Sequence, residues 1–274
     1  MHLLYVDNGL MRFGETEEVR HTLDQLGASG AQIVDAEARF LAALAGISDP
    51  ERKRAVIGDL FIEVQAAAVG DRLAGAFLAQ GTLYTDLIES GRGVGAKADV
   101  IKSHHNVASP LVAAKRDSGL LLEPLAQLYK DEVRQLGTAL GVPDHVVFRH
   151  PFPGPGLAVR VLGAVTRQRC DLLRKVDRVF LEELRTRELY ASVTQAFAVL
   201  LPVRSVGVTG DSRSYGSVVA LRAIRSADFM TADVYPFELQ TLTEIASHIT
   251  NEVPDIGRVV YDISSKPPAT VEWE

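Results

Sequence analysis

Two stretches of the chain carry side chains able to do chemistry. In the first, an apolar run at residues 76–79 empties into Gln80-Gly81-Thr82-Leu83-Tyr84-Thr85-Asp86, followed by Glu89 and a glycine-rich segment at 91–95. An acid-bearing, glycine-rich loop at a strand end can close over a phosphate-bearing substrate, with Asp86 and Glu89 holding a magnesium ion. An ordinary solvated surface loop fits the same spacing. Downstream, Lys102 precedes Ser103-His104-His105-Asn106. Neighbouring histidines point opposite ways in an extended chain, so this pair is a poor chelate, and no cysteine or third clustered histidine supports zinc. A basic loop in which Lys102 offers a point charge to phosphate oxygens suits these residues better.

The second stretch is Ser264-Ser265-Lys266-Pro267-Pro268-Ala269-Thr270-Val271-Glu272-Trp273-Glu274, which holds the only tryptophan. Its diproline fixes φ twice and pre-orders an extended path. Lys266 and Glu272 could then present a cation and a carboxylate to a ligand at fixed separation. The competing reading is a tail packed across its own sheet.

Elements that position these groups follow from pattern. Residues 2–6 read as a strand delivering the polar turn Asp7-Asn8-Gly9, and 14–26 as a helix with acids at its front and Gly27 as its stop. A strand at 32–34, a helix at 37–44 and a longer helix opened by Asp49-Pro50 follow. With strands at 76–79 and 120–122 and a helix at 130–140, the alternation predicts an α/β parallel sheet covered on both faces, where ligands sit beyond the strand ends. Residues 150–160, His-Pro-Phe-Pro-Gly-Pro-Gly-Leu-Ala-Val-Arg, can continue neither a helix nor a central strand. They read as a hinge between domains 1–150 and 151–274, or as a rigid turn within one domain. After them, a strand at 158–162, a helix from Thr166 to Arg187, strand segments at 197–203 and 205–208 broken at Pro202, a turn at 210–216, a strand at 218–224, a helix at 237–249 and a strand at 258–263 describe a small α+β layer.

Bulk properties exclude little but usefully. The chain has 274 residues, 47% hydrophobic and 23% charged, enough for two soluble domains. A net charge of −6 argues against a nucleic-acid partner. The single cysteine, Cys170, excludes an intrachain disulfide and fits a reducing, cytoplasmic setting. No apolar run is long enough to span a bilayer, and the opening residues are too short for a signal segment.

The motifs VDNGLMR (6–12), LAQGTLY-x-D-x-IES (78–90), IKSHHNV (101–107), EPL with KDEVR (123–134), RHPFPGPGL (149–157), VRSVGV-x-GD-x-R (203–213), DFMTAD (228–233) and ITNEV with RVVYDISSKPPATVEWE (249–274) together resemble the synthetase part of the GMP synthase family, in order and from end to end. The resemblance implies an incomplete N-type ATP pyrophosphatase (adenine nucleotide alpha hydrolase-like) domain at 1–150, followed by a dimerisation domain at 151–274 that binds xanthosine monophosphate (XMP). It implies ATP and magnesium as cofactors, a homodimer, and a glutamine amidotransferase as ammonia source. MgATP adenylates the 2-oxygen of XMP and ammonia then displaces AMP.

Carried onto this sequence, Asp7, Asn8, Gln80, Gly81 and Thr82 would meet ATP. Asp86, Glu89, Lys102, His104 and His105 would act in the lid and the adenylation step. Pro153, Gly154, Pro155, Gly156, Arg258, Lys266 and Glu272 would bind XMP. Two departures stand out. Thr85 occupies the place of the proline usual after the tyrosine, and the family's Ser-Gly-Gly-x-Asp-Ser pyrophosphate loop falls upstream of residue 1. The expectation is therefore a chain that does not form GMP by itself, with unpaired strand edges where the missing strand would lie; a non-catalytic remnant that dimerises and binds XMP is the alternative.

Overall fold

The computed structural model describes residues 2–28, 30–70, 75–89, 110–209, 212–227 and 229–274. Packing separates them into two units, Met1–Ile57 with His150–Glu274, and Gly58–Arg149. Residues 150–160 thus open the return to the first unit, and a second crossing lies at residues 57 and 58.

In the first unit, β1 (Leu4–Asp7) and β2 (Gln32–Asp35) pair in parallel, from Leu4↔Gln32 to Asp7↔Asp35. Parallel neighbours need a crossover, and α1 (Glu15–Gln25) supplies it, with Glu15, Glu17 and Glu18 in its first turn and Gly27 turning out at φ 73°. Helix α2 (Glu37–Ala43) buries Phe40. Helix α3 (Pro50–Val69) starts where the Arg52 amide donates to Asp49 Oδ1 at 2.8 Å, the expected cap.

The Gly58–Arg149 unit is built on short elements. Strands β3 (Leu78–Ala79) and β4 (Leu121–Leu122) form a second parallel pair. Around them lie α4 (Tyr84–Glu89), α5 (Pro110–Asp117), α6 (Lys130–Ala139) and α7 (Asp144–Val147). The parallel alternation is met as two separate two-stranded pairs among the described residues rather than one broad sheet.

After residue 150 the first unit resumes. Helix α8 (Arg167–Thr186) is capped by Thr166, whose hydroxyl accepts the Arg169 amide at 3.2 Å. The sheet comprises β5 (Gln195–Thr209), β6 (Ser212–Arg225), β7 (Asp233–Val234) and β8 (Ile256–Tyr261), with β6 antiparallel to β5 and β7 and parallel to β8. Helix α9 (Leu239–Glu252) packs with α8 and β8. Residues 196–200 of β5 are all buried, without alternation, as a strand covered on both faces requires. Leu162, Leu201 and Val271 pack on the cluster of Phe197, Val199 and Ala220.

Three expectations change. The strand at 158–162 is instead a buried 3-10 turn at Gly156–Val159, with only Val161 bridging to Leu200. Gly156 at φ 61° starts a turn that the short apolar alternation conceals. The two segments around Pro202 are one strand, and the proline is absorbed by a register slip between Leu200 and Arg204. Strand β6 begins at Ser212, so most of the expected turn at 210–216 is ladder.

Candidate functional site

The loop leaving β1 and the proline-glycine stretch are built against each other. Asp7 accepts the Gly9 amide at 3.0 Å and the Thr16 hydroxyl at 2.6 Å, while buried Asn8 accepts the Leu10 amide at 2.9 Å. These side-chain acceptors hold the turn open at its tip. The Leu157 amide then donates to Leu10 O at 2.8 Å, and a Cβ on Gly156 would stand 2.3 Å from the same oxygen. Only glycine permits that approach. Helix α8 secures the loop from beneath: Arg174 donates to Met11 O at 2.9 Å and to Gly9 O. The turn that follows Asp7 and Asn8 is thereby joined, through Leu10, to Gly156 and Leu157.

Next to this junction lies an unusual concentration of buried charge. The Phe152 ring is approached by the Arg12 guanidinium at 4.8 Å and by that of Arg160 at 5.0 Å; Arg160 also lies 4.1 Å from the Phe197 ring centre. Arg160 is fully buried and grips Glu272 through two parallel bonds, Nε to Oε2 at 3.0 Å and Nη2 to Oε1 at 2.8 Å. Gln195 Nε2 donates to Glu272 Oε1 at 2.9 Å. Arg12 Nε sits 3.2 Å from Asp177 Oδ2, an ion contact too poorly aligned to be a hydrogen bond. Burial lowers the pKa of Arg12 and Asp177 opposes it. Among the described residues, Arg12 Nη2 and Arg160 Nη1 are buried donors without an acceptor. Such orphans are costly and rare in a finished core.

His150 fixes the entry to the stretch. Its Nδ1 accepts the Ala196 amide at 3.2 Å, so Nε2 carries the proton and donates to Tyr190 O at 2.9 Å. The ring stacks on Tyr190 with centroids 3.8 Å apart. Burial drives its pKa down to about 4, and the guanidinium of Arg12 adds to the effect. His150 is therefore neutral near pH 7.

The tail is folded back onto its sheet. Fully buried Arg222 donates to Asp262 Oδ2 at 2.7 Å, Val271 O at 2.8 Å, Thr270 O at 2.9 Å and Ser264 O at 3.0 Å. The diproline turns rather than extends: its peptide bonds at 266–267 and 267–268 are cis, and the Ala269 amide reaches Ser265 O at 3.1 Å. Packing and presentation are not exclusive, since Glu272 is held in place by that same packing. Lys266 pairs with Ala232, and its Nζ donates to Phe229 O at 2.6 Å. Ala232 also lines a cleft of about 350 Å³ with Thr194, Arg225, Ser226 and Asp233. Arg258 stands apart from this group, its Nε donating to Ser205 Oγ at 2.8 Å, well along β5 from Gln195.

In the Gly58–Arg149 unit, the Gln80 amide joins the ladder at Leu122 O (2.9 Å), Gly81 is exposed, and buried Thr82 donates to Glu123 at 2.8 Å. Asp86 Oδ2 accepts the Leu83 amide at 2.9 Å, so it caps α4, which ends at Glu89. Burial lowers the pKa of Lys130, Arg134 adds to this, and Asp86 opposes it. Lys102, His104 and His105 lie outside the described residues. Among the described residues no three His, Cys, Asp or Glu side chains gather around one point. Magnesium commonly uses one or two carboxylates together with substrate phosphates rather than a closed cage of protein ligands.

Sequence reasoning passed over Arg12, Arg160, Gln195, Lys53 and Arg222. One signal was present: Arg160 in LAVRVL and Arg222 in VVALRAI are single charges inside apolar runs, and a charge there must be buried and paired.

The chain is similar to known proteins along its length. The family described as GMP synthase C terminal domain matches residues 182–273. Over 272 residues the chain is 54% identical to the GMP synthase [glutamine-hydrolyzing] of Zymomonas mobilis, covering 99% of this chain and 51% of that protein. The protein of the same name from Candida albicans is 52% identical over 278 residues, 100% and 52% of the two lengths, and that from Thermus thermophilus 54% over 271 residues, 99% and 53%. The chain spans about half the length of the curated relatives it matches. Residues 182–273 match the GMP synthase C terminal domain, and the whole chain is similar to about half of each of these GMP synthases.

Proposed function

We propose that this chain supplies the XMP-binding and adenylation part of a GMP-forming ligase. The 2-oxygen of XMP attacks the α-phosphorus of ATP and pyrophosphate departs. Ammonia then adds at C2, AMP leaves, and loss of a proton gives GMP. Turning a poor leaving oxygen into AMP is what makes the amination feasible, so stabilising the charge on departing pyrophosphate dominates the demand on the protein.

The observation that carries this reading is the pair of buried, unpartnered guanidinium donors beside Phe152, next to a carboxylate held from two sides. A purine monophosphate offers the phosphate oxygens that Arg12 and Arg160 lack, and could add ring N–H groups to Glu272 and an anionic group to Lys266. Pro153–Gly156 form the adjoining wall, with Arg258 a more distant contributor. Asp7, Asn8, Gln80, Gly81 and Thr82 are the residues proposed to serve ATP. Asp86, Glu89, Lys102, His104 and His105 serve the lid. Magnesium, when bound with the nucleotide, neutralises phosphate charge; Asp86, with Glu89, would hold it.

The proposed functional division, an ATP pyrophosphatase region at 1–150 and an XMP-binding, dimerising region at 151–274, differs from the packing units, in which residues 1–57 join 150–274 and Arg12 reaches the XMP region. Exposed Val203, Val206, Val208 and Tyr215 on the β5–β6 hairpin support pairing of two copies. Ammonia comes from a glutamine amidotransferase, as the names of the relatives suggest, and the setting is cytoplasmic; among the described residues no helix is long and apolar enough to cross a membrane. An inactive remnant is not favoured, because identity above 50% extends over 99–100% of the chain in these relatives.

Thermal melting tests the assignment. Saturating XMP is expected to raise the melting temperature by several degrees, and AMP or inosine monophosphate by less. No shift with millimolar XMP would contradict it.

A further inference from the structure

Lys53 is a fully buried ammonium on the first turns of α3. Its three donors are all used: Nζ reaches Val161 O at 2.9 Å, Ala158 O at 3.1 Å and the Glu274 carboxylate. The adjacent Arg54 donates to Glu274 O, and the Gly163 amide donates to Glu274 Oε1 at 3.3 Å. Three segments far apart in sequence therefore meet on one nitrogen: helix α3, the end of the proline-glycine stretch, and the last residue of the tail. An ammonium is a compact charge with freely rotating donors, which suits it to joining carbonyls and a carboxylate that lie in different directions.

The two segments Lys53 joins are those that flank the ligand groups. Val161 follows Arg160, and Glu274 lies two residues after Glu272. The Arg160–Glu272 pair thus has its backbone tied on both sides to the same helix. We propose that Lys53 is a positioning residue for XMP: it fixes the tail against the proline-glycine stretch so that Glu272 and Arg160 keep the spacing the ligand needs, without touching the ligand. This rests on the assignment of XMP to that site. Burial favours such a role over a surface tether, because a desolvated charge with three fixed acceptors has one low-energy arrangement.

Amide hydrogen exchange on the full chain, with XMP titrations alongside, separates the two claims. In Lys53→Met, amides of residues 269–274 are expected to exchange at least tenfold faster than in the wild type, and the Kd for XMP to rise at least tenfold while that for ATP stays within twofold. Glu274→Gln removes the same ion pair from its more exposed end, and covers the case in which Lys53→Met does not fold. Its effect on XMP affinity should be smaller, and in the double variant it should add nothing to that of Lys53→Met. Unchanged tail exchange in either folded variant, or fully additive losses of XMP affinity, would overturn the positioning role. Failure of the wild type to bind XMP would instead overturn the assignment of the ligand, with the exchange rates still deciding whether Lys53 pins the tail.

Discussion

The two units solve the problem of holding polar groups in opposite ways. In the unit formed by Met1–Ile57 and His150–Glu274, Arg160, Arg222 and Lys53 are buried completely, each tied to a carboxylate and two of them also to backbone carbonyls. Leu173, Val176, Phe180, Phe197 and Val199 are buried in the same unit, and the Arg160 guanidinium lies over the Phe197 ring. In the Gly58–Arg149 unit, only Val64, Thr82 and Val112 are buried among the described residues, and its two strands are two residues each. The first unit is a frame in which the groups proposed to meet XMP are held by its own packing. The second carries its candidate nucleotide residues on elements with little apolar burial, the kind that open locally at low cost. Under the proposed function, preorganisation would serve recognition of a base and phosphate, and adaptability would serve enclosure of a nucleotide.

The comparison breaks most easily at the frame's buried cations. Arg222→Met leaves Asp262 partly buried without its cation and frees three tail carbonyls; we expect a loss of about 3–5 kcal/mol in urea unfolding of the first unit. A loss below about 1 kcal/mol would mean that hydrophobic packing alone sustains the tail.

His150 sharpens the contrast through pH. Its folded pKa is depressed, from an ordinary 6.5 to about 4. The unfolded chain therefore binds the proton first as pH falls. The stabilisation is present above pH 6.5 and disappears between there and about pH 4, by roughly 3 kcal/mol. His150→Phe should remove most of that acid sensitivity while lowering stability at pH 7.5, because the Ala196 amide and Tyr190 carbonyl lose their partner. Denaturant titrations at pH 7.5 and 4.5 read both effects.

Gly156→Ala tests the junction between the β1 loop and the proline-glycine stretch. A φ of 61° and a 2.3 Å approach to Leu10 O predict a loss of at least about 2 kcal/mol, with weaker XMP binding. The smallest effect belongs to the looser unit. Thr82→Val loses one hydrogen bond to Glu123 and should cost about 1 kcal/mol, confined to amide exchange within Gly58–Arg149 and leaving the frame's melting unchanged.

Local signals in the sequence were reliable. The caps at Asp49 and Thr166, the stop at Gly27 and the irregularity at Pro202 depend on neighbours a few residues away, and all lie where the pattern puts them. The 158–162 segment defeated the same reasoning because an apolar alternation does not distinguish a strand from a buried 3-10 turn when every side chain is covered. For the site, Lys266, Glu272 and Gly156 carried visible signals in their motifs. What completes the site did not, because its partners are remote: Arg160 and Glu272 are 112 residues apart, and Lys53 and Glu274 are 221 apart. No periodicity records such a meeting.

The most direct test of a preformed purine monophosphate site is isothermal titration of XMP into the chain without ATP, repeated on Glu272→Gln and Lys266→Ala. The account predicts binding by the wild type, at least a tenfold rise in Kd for each variant, and dimerisation unaltered in both. Variants that bind XMP as the wild type does, or a wild type that binds only once ATP is present, would contradict it.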